Sequence, residues 1–472
     1  MSRRTLVTAA ALGAAALAFP ASAAAHGIAQ RADLPIPEWL FGYGAAMVLI
    51  VSFIGLAFLW RTPQLQEPHR TRVLRIPAVV DVVCGGIGIA LFALVVYSGF
   101  AGTQTPTANF APTFIYVTFW VGLVVASLLF GNVFAAFSPW RSAARGVAWV
   151  SRRLSSGDAP SPLRYPEWLG RWPAALGLLC FAWVELAYQN RDDPSTLALL
   201  ALAYAAVQLA GMSFYGIDEW SDRADAFGTY FGVIARLSVW ERRDGVLYLR
   251  RPLSGVTRLE PIPGTVALLC TSIGTTSFDG FGQGRAWANL ANDLQQPFLD
   301  LGFNAATALE LASTIGLVSA VLIVSGLYRL GVMGMHSVNR EHPTAQLSRQ
   351  FVHTLAPIAV AYVIAHYFSL LAFQGQAMAF LTSDPLGDGS DLLGTASSTI
   401  DYNVVSAQGI WYVQVGALVI GHVAGLTLAH DKALAVYRDV REATRSQYWM
   451  LLVMITFTSL GLWLLSAINN NS

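Results

Sequence analysis

Residues 78–99 read AVVDVVCGGIGIALFALVVYSG, with a single acid, Asp81, and no base. At 1.5 Å per residue, an apolar run of about 20 residues is long enough to cross the hydrocarbon layer of a bilayer as an α-helix. Comparable runs lie on both sides of it, near 39–60, 112–136, 173–190, 195–216, 262–281, 305–328, 351–378, 405–429 and 447–467. Together these predict ten spans. The 472-residue chain is 55% hydrophobic and only 12% charged, where a soluble protein carries about 25% charge. A soluble domain is excluded, and the expected fold class is all-α: a polytopic helical bundle forming one transmembrane domain over 26–472. The net charge is +1, so no global field recruits nucleic acid. The expected partners are the lipid bilayer and a small lipophilic molecule.

The chain begins Met1-Ser2-Arg3-Arg4, followed by an Ala/Leu-rich stretch and then Pro20-Ala21-Ser22-Ala23-Ala24-Ala25. That order matches the basic, apolar and small-residue regions of a secretory signal peptide over 1–25, with cleavage after Ala23 or Ala25. With the mature N-terminus and the C-terminus outside, the inner connections hold 24 of the 29 basic residues. Arg31, Arg191 and Arg285 fall outside, and Arg3 and Arg4 lie in the leader. The positive-inside rule favours that orientation.

Three stretches depart from simple spans. Residues 217–240 are amphipathic and read as an inner-surface or re-entrant helix, since an extra crossing there would invert every later loop. Asp244 to Arg250 alternates like a hairpin arm within a basic cytoplasmic insert, 217–261. Span 262–281 is rich in Gly, Ser and Thr and ends in Thr276-Ser277-Phe278-Asp279-Gly280. A broken helix is expected there, because irregular backbone at membrane depth survives inside protein or against a wet cavity.

Chemistry must come from the few polar groups at membrane depth, where ionisable side chains are costly and face the bundle interior. Cys84, Cys180 and Cys270 are too scattered for a metal or disulfide framework, and no P-loop, GxSxG or HExxH is present. In span eight, Tyr362, His366, Ser369 and Gln376 stand at relative positions 0, 4, 7 and 14. At about 100° per residue these share one helical face. In span nine, Gly421 and Gly425 form a small-xxx-small pair beside His422, and His430 and Asp431 sit at the inner boundary as a helix-end or snorkelling pair. His366 and His422 both fall near mid-depth. With a carboxylate from a third helix they would make a site for Zn²⁺ or Cu²⁺. Asp279 is the preferred third ligand, ahead of Glu185 and Glu310. Hydrogen bonding between neighbouring helices is the plainer reading of the same residues.

Two further sets are weighed. Asp218, Asp222, Asp225 and Thr229 would share a stripe on the inner side, either a solvated face or a divalent-ion site. A mature N-terminal His26, and Met333 and Met335 with His336, carry a hint of copper.

The strings AHGIAQRADLPIPEWLF (25–41), DAFGTYFGVIARL (225–237), TSFDGF (276–281), HYFSLLAFQGQ (366–376) and GHVAGLTLAHDKAL (421–434) resemble a bacterial family of polytopic membrane proteins. This family is frequent in actinobacteria and carries the name fenitrothion hydrolase. The resemblance implies a bacterial plasma-membrane protein that cleaves the P–O aryl ester of an organophosphorus triester. It supplies an activity and no residue roles. On chemical grounds the expected catalytic groups are Asp279 as ligand or base, His366, and Gln376 as donor to the phosphoryl oxygen, with a metal on His366, His422 and Asp279. Two other classes stay open: a transporter or channel for a proton, metal or small solute that uses the same buried groups, and a copper-related membrane factor.

Overall fold

The structure, a computed structural model, describes residues 38–67, 69–154 and 161–469, with side chains between 42 and 462. The leader 1–25 and His26 lie outside the described residues. The fold is 74% helical. Seven helices are long and apolar enough to cross a membrane: Gly42–Leu59, Ala78–Ala101, Phe110–Phe130, Pro194–Tyr215, Ala305–Val338, Thr344–Ser383 and Ala407–Val436. At the other three expected spans the chain is also helical, over Trp172–Leu186, Thr265–Gly282 and Val440–Asn469, but these are not among the seven.

In chain order the helices are α1 (Glu38–Leu59), α2 (Ala78–Ala101), α3 (Phe110–Phe130), α4 (Val133–Phe137), α5 (Pro139–Leu154), α6 (Trp172–Leu186), α7 (Pro194–Tyr215), α8 (Ile217–Arg223) and α9 (Ala226–Ala235). They continue with α10 (Thr265–Gly282), α11 (Arg285–Asp300), α12 (Ala305–Val338), α13 (Thr344–Phe351), α14 (Leu355–Gln374), α15 (Met378–Ser383), α16 (Ala407–Val436) and α17 (Val440–Asn469). The middle of α3, Phe114–Gly122, is wound as a π-helix. Helix starts follow local chemistry. Asp193 accepts from Thr196 N at 2.7 Å ahead of α7, Asn304 from Thr307 N at 2.9 Å ahead of α12, and Ser406 from Gly409 N at 3.1 Å ahead of α16. Each satisfies an N–H that the first helical turn leaves unpaired.

The fold is not purely helical. Strands β1 (Arg70–Arg75), β2 (Trp240–Arg243) and β3 (Val246–Arg250) form an antiparallel sheet in the order β1-β3-β2. The β2–β3 hairpin is the expected one, turned by Asp244 and Gly245, both at positive φ. β1 is an addition, pairing Arg70 with Arg250 and Arg75 with Val246. An ion pair between Arg242 and Asp81 ties the sheet to α2, so Asp81 serves this anchor. This arginine-rich end of the bundle holds the end of α1, the start of α2 and the end of α16.

Two local expectations are overturned. The Gly/Ser/Thr-rich α10 is unbroken, because the hydroxyls of Thr275, Thr276 and Ser277 turn back onto carbonyls of their own helix. Its Gly274 admits α12: a Cβ there would meet Val321 Cα at 2.6 Å. The amphipathic stretch 217–240 does not form one helix. It breaks at Ala224, and Asp225 caps a second helix by accepting from Phe227 N at 3.1 Å. The connection after α10 folds as the amphipathic α11.

Candidate functional site

Helices α10 and α14 bring together two of the expected residues. His366 Nε2 lies 2.8 Å from Asp279 Oδ2, and the two side chains are 12% and 16% exposed. With Asp279 ionised, the imidazole donates through Nε2–H, which leaves Nδ1 as the basic nitrogen. The Gln283 amide donates to the other carboxylate oxygen at 3.4 Å. Tyr367 packs edge-on to the imidazole, ring centres 4.5 Å apart, and its hydroxyl faces Asp279.

The π-helical segment of α3 supplies the facing wall. The Trp120 indole N–H lies beside the Tyr367 hydroxyl and is buried with no hydrogen-bond partner of normal geometry among the described residues. Trp120 stacks on Tyr230, ring centres 5.4 Å apart, and leans on Phe181 at 4.9 Å. Glu185, at the end of α6, is near enough to act electrostatically on both Asp279 and Tyr367. The site is therefore a carboxylate–imidazole pair between aromatic rings, with a second acid nearby and an indole N–H beside the phenol. Such a pair orients the imidazole and raises its ability to take a proton from a bound group.

The other expected members lie apart. His422 is fully buried, its Nδ1 hydrogen-bonded to Leu418 O at 2.8 Å and its ring 6.2 Å from that of Tyr362, while its Nε2 has no partner. Among the described residues no three His, Cys, Asp or Glu side chains form a metal-ligating group. The His366–His422–Asp279 set is not gathered into one ligand group: Asp279 bonds His366, while His422 turns onto its own helix. Tyr362 donates to Phe457 O at 2.7 Å, locking α14 to α17. Gln376 donates to Ala372 O and Asp401 O and accepts from Asp401 N, so its amide pins a loop and has no capacity left for a phosphoryl oxygen. Ser369 is part-buried on α14. Glu310 accepts from Gln189 Nε2 at 2.9 Å.

Asp431 is no snorkelling residue. It is fully buried and accepts from Trp60 Nε1, Gln64 N and Leu65 N through Oδ1 and from Gln66 Nε2 through Oδ2, while His430 Nε2 meets Trp60 O at 3.0 Å. The acidic stripe is divided by the break at Ala224. Asp225 turns inward to Trp140 Nε1 at 2.6 Å and Tyr204 Oη at 2.7 Å. Asp218 stays outward on Arg141 at 2.5 Å and Arg145 at 3.2 Å. Partial burial raises the Asp218 carboxyl, but the two guanidiniums outweigh it and hold it below its ordinary value. Asp222 is exposed and does not join either neighbour. Met335 is buried while Met333 points out of the bundle, and His336 Nδ1 is bonded to His342 O, so these three do not converge on copper.

Tyr367 and Trp120 are the members that sequence reasoning missed. Tyr367 adjoins His366, about 100° off the stripe, and Trp120 lies in a span with no ionisable residue to draw notice. No known protein family, curated protein or solved structure matches the chain.

Proposed function

We propose that this chain is a membrane-embedded hydrolase in which Asp279 and His366 activate water against a lipophilic organophosphorus triester. The observation that carries the reading is the 2.8 Å contact between His366 Nε2 and Asp279 Oδ2, shielded among aromatic rings. His366 Nδ1 takes a proton from water, and the resulting hydroxide attacks phosphorus. The P–O aryl bond breaks, and the aryloxide leaves with the proton from the imidazolium. The Trp120 N–H, beside the Tyr367 hydroxyl, is the donor that would turn to the phosphoryl oxygen. No step runs through a metal. A neutral triester partitions into lipid and would enter sideways between helices.

The proposal includes ten spans behind a cleaved signal peptide in a bacterial plasma membrane, with the arginine-rich end cytoplasmic. The positive-inside rule supports that orientation. The test is release of nitrophenolate from fenitrothion or paraoxon by purified protein in nanodiscs. Hydrolysis that is lost in both His366→Ala and Asp279→Asn supports the reading. A wild-type protein without hydrolysis, or variants indistinguishable from it, overturns it.

A second reading, proton-coupled transport, is favoured by one observation. Among the described residues, three buried imidazoles, His422, His430 and His353, each leave one ring nitrogen unpartnered. Buried polar atoms normally have partners, and water supplies those that side chains do not. Proton flux in proteoliposomes that survives loss of hydrolysis but not His422→Phe would select this reading.

A further inference from the structure

Helix α5 reads PWRSAARGVAWVSRRL. Taking about 100° per residue, Ala143, Val147, Val150 and Leu154 fall on one stripe, and Arg141, Arg145 and Arg152 face the other way. The first turn is fixed to protein. A Cβ on Gly85 of α2 would meet Ser142 Oγ at 2.5 Å, and one on Gly88 would meet Phe137 O at 1.8 Å, so α2 packs closely on the end of α4 and the start of α5. On the polar side, Arg141 and Arg145 hold Asp218. The apolar stripe is left uncovered: Val147 is 68% exposed, Val150 45% and Leu154 81%. The neighbouring α2 also exposes apolar side chains, Val79, Val82 and Val83. Arg153 stacks over Trp149 with its guanidinium 4.3 Å from the ring centre, at the flank between the two faces. An aromatic ring with a cation at its edge suits the headgroup layer of a bilayer.

We propose that α5 lies in the plane of the membrane surface, with Val147, Val150 and Leu154 among the acyl chains and Arg153, at the flank, on lipid phosphates. The occupant of the face is the lipid leaflet. The start of α5 packs on α2, a helix long and apolar enough to cross a membrane, and Arg153 is complementary to anionic headgroups. The inference is independent of the hydrolase reading.

The test uses full-length protein in nanodiscs, in a background with Cys84, Cys180 and Cys270 changed to Ala. Val150→Cys and Arg145→Cys are labelled separately with an environment-sensitive fluorophore. The label at 150 should be shielded from aqueous iodide and quenched by lipid-attached quenchers, and the label at 145 should show the reverse. Native mass spectrometry should show co-purified phosphatidylglycerol falling at least twofold in Arg153→Gln. Equal iodide quenching at the two positions would overturn the proposal. So would efficient disulfide formation between two Val150→Cys copies, which would make the face a protein–protein contact. Unchanged lipid retention would overturn the role of Arg153.

Discussion

Asp431 and Asp279 are both carboxylates enclosed by helices, yet they face opposite kinds of neighbour. Asp431 collects two backbone amides, one indole N–H and one side-chain amide. None of these exchanges its proton near neutral pH, so the arrangement is a fixed latch between α16 and the segment after α1. Asp279 holds an imidazole and faces a phenol, side chains of the kind that serve as proton donors and acceptors in acid–base chemistry. The chemistry of the donors, more than burial, separates a structural acid from a reactive one. By the same criterion Asp225, held by an indole, a phenol and a backbone amide, belongs mainly with the latch.

The largest effect expected is on the reactive side. His366→Ala should lower hydrolysis by about 10²–10⁴-fold, the usual contribution of a positioned general base, with thermal stability in detergent little changed. A variant that lost stability as well as rate would erase the contrast with Asp431. Next, Asp431→Ala should cost on the order of 3 kcal/mol, because it leaves several buried donors unsatisfied at once. Thermal denaturation and protease sensitivity of residues 60–66 measure that loss, and a melt unchanged from wild type would deny the latch. Smaller again is Gly421→Ala. A Cβ there would stand 2.3 Å from Ala361 Cβ and 2.8 Å from Pro357 O, so overpacking should cost about 1–3 kcal/mol. Because α14 carries His366, the same variant should lower the hydrolytic rate, which would sharpen the link between packing and the pair.

The smallest effect belongs to Asp218→Asn, at a 73% exposed carboxylate. The pair with Arg141 and Arg145 should contribute under about 0.5 kcal/mol once solvent screening is counted. Its folded pKa is lowered, so the contribution is present above the ordinary value of 3.8 and fades as pH falls through the lowered one. Wild type and Asp218→Asn should therefore melt apart slightly at neutral pH and together in strong acid.

Much of the bundle was legible because long apolar runs have few alternatives to a membrane-crossing helix. Seven of the expected spans correspond to helices of sufficient length and hydropathy. Asp279 and His366 were legible because acids and imidazoles are rare at that depth. Their pairing was not, since helical periodicity gives the face of a residue and says nothing of the helix opposite. Gln376 and Tyr362 shared His366's face but were committed to backbone carbonyls, a competition that spacing cannot reveal. His422 shared its depth with His366 and turned to its own helix. α11 and β1 escaped notice because a short amphipathic or arginine-rich segment between spans resembles a loop.

The sheet has a consequence for synthesis. β1 follows the first membrane helix, yet its partner β3 lies some 170 residues later. Synthesis proceeds from the N-terminus, so Arg70–Arg75 must wait, unpaired, while α2 to α9 are made. Four of the six residues of this strand are Arg or Thr. An edge of that composition resists pairing with other chains, which keeps the waiting strand available until its own hairpin emerges.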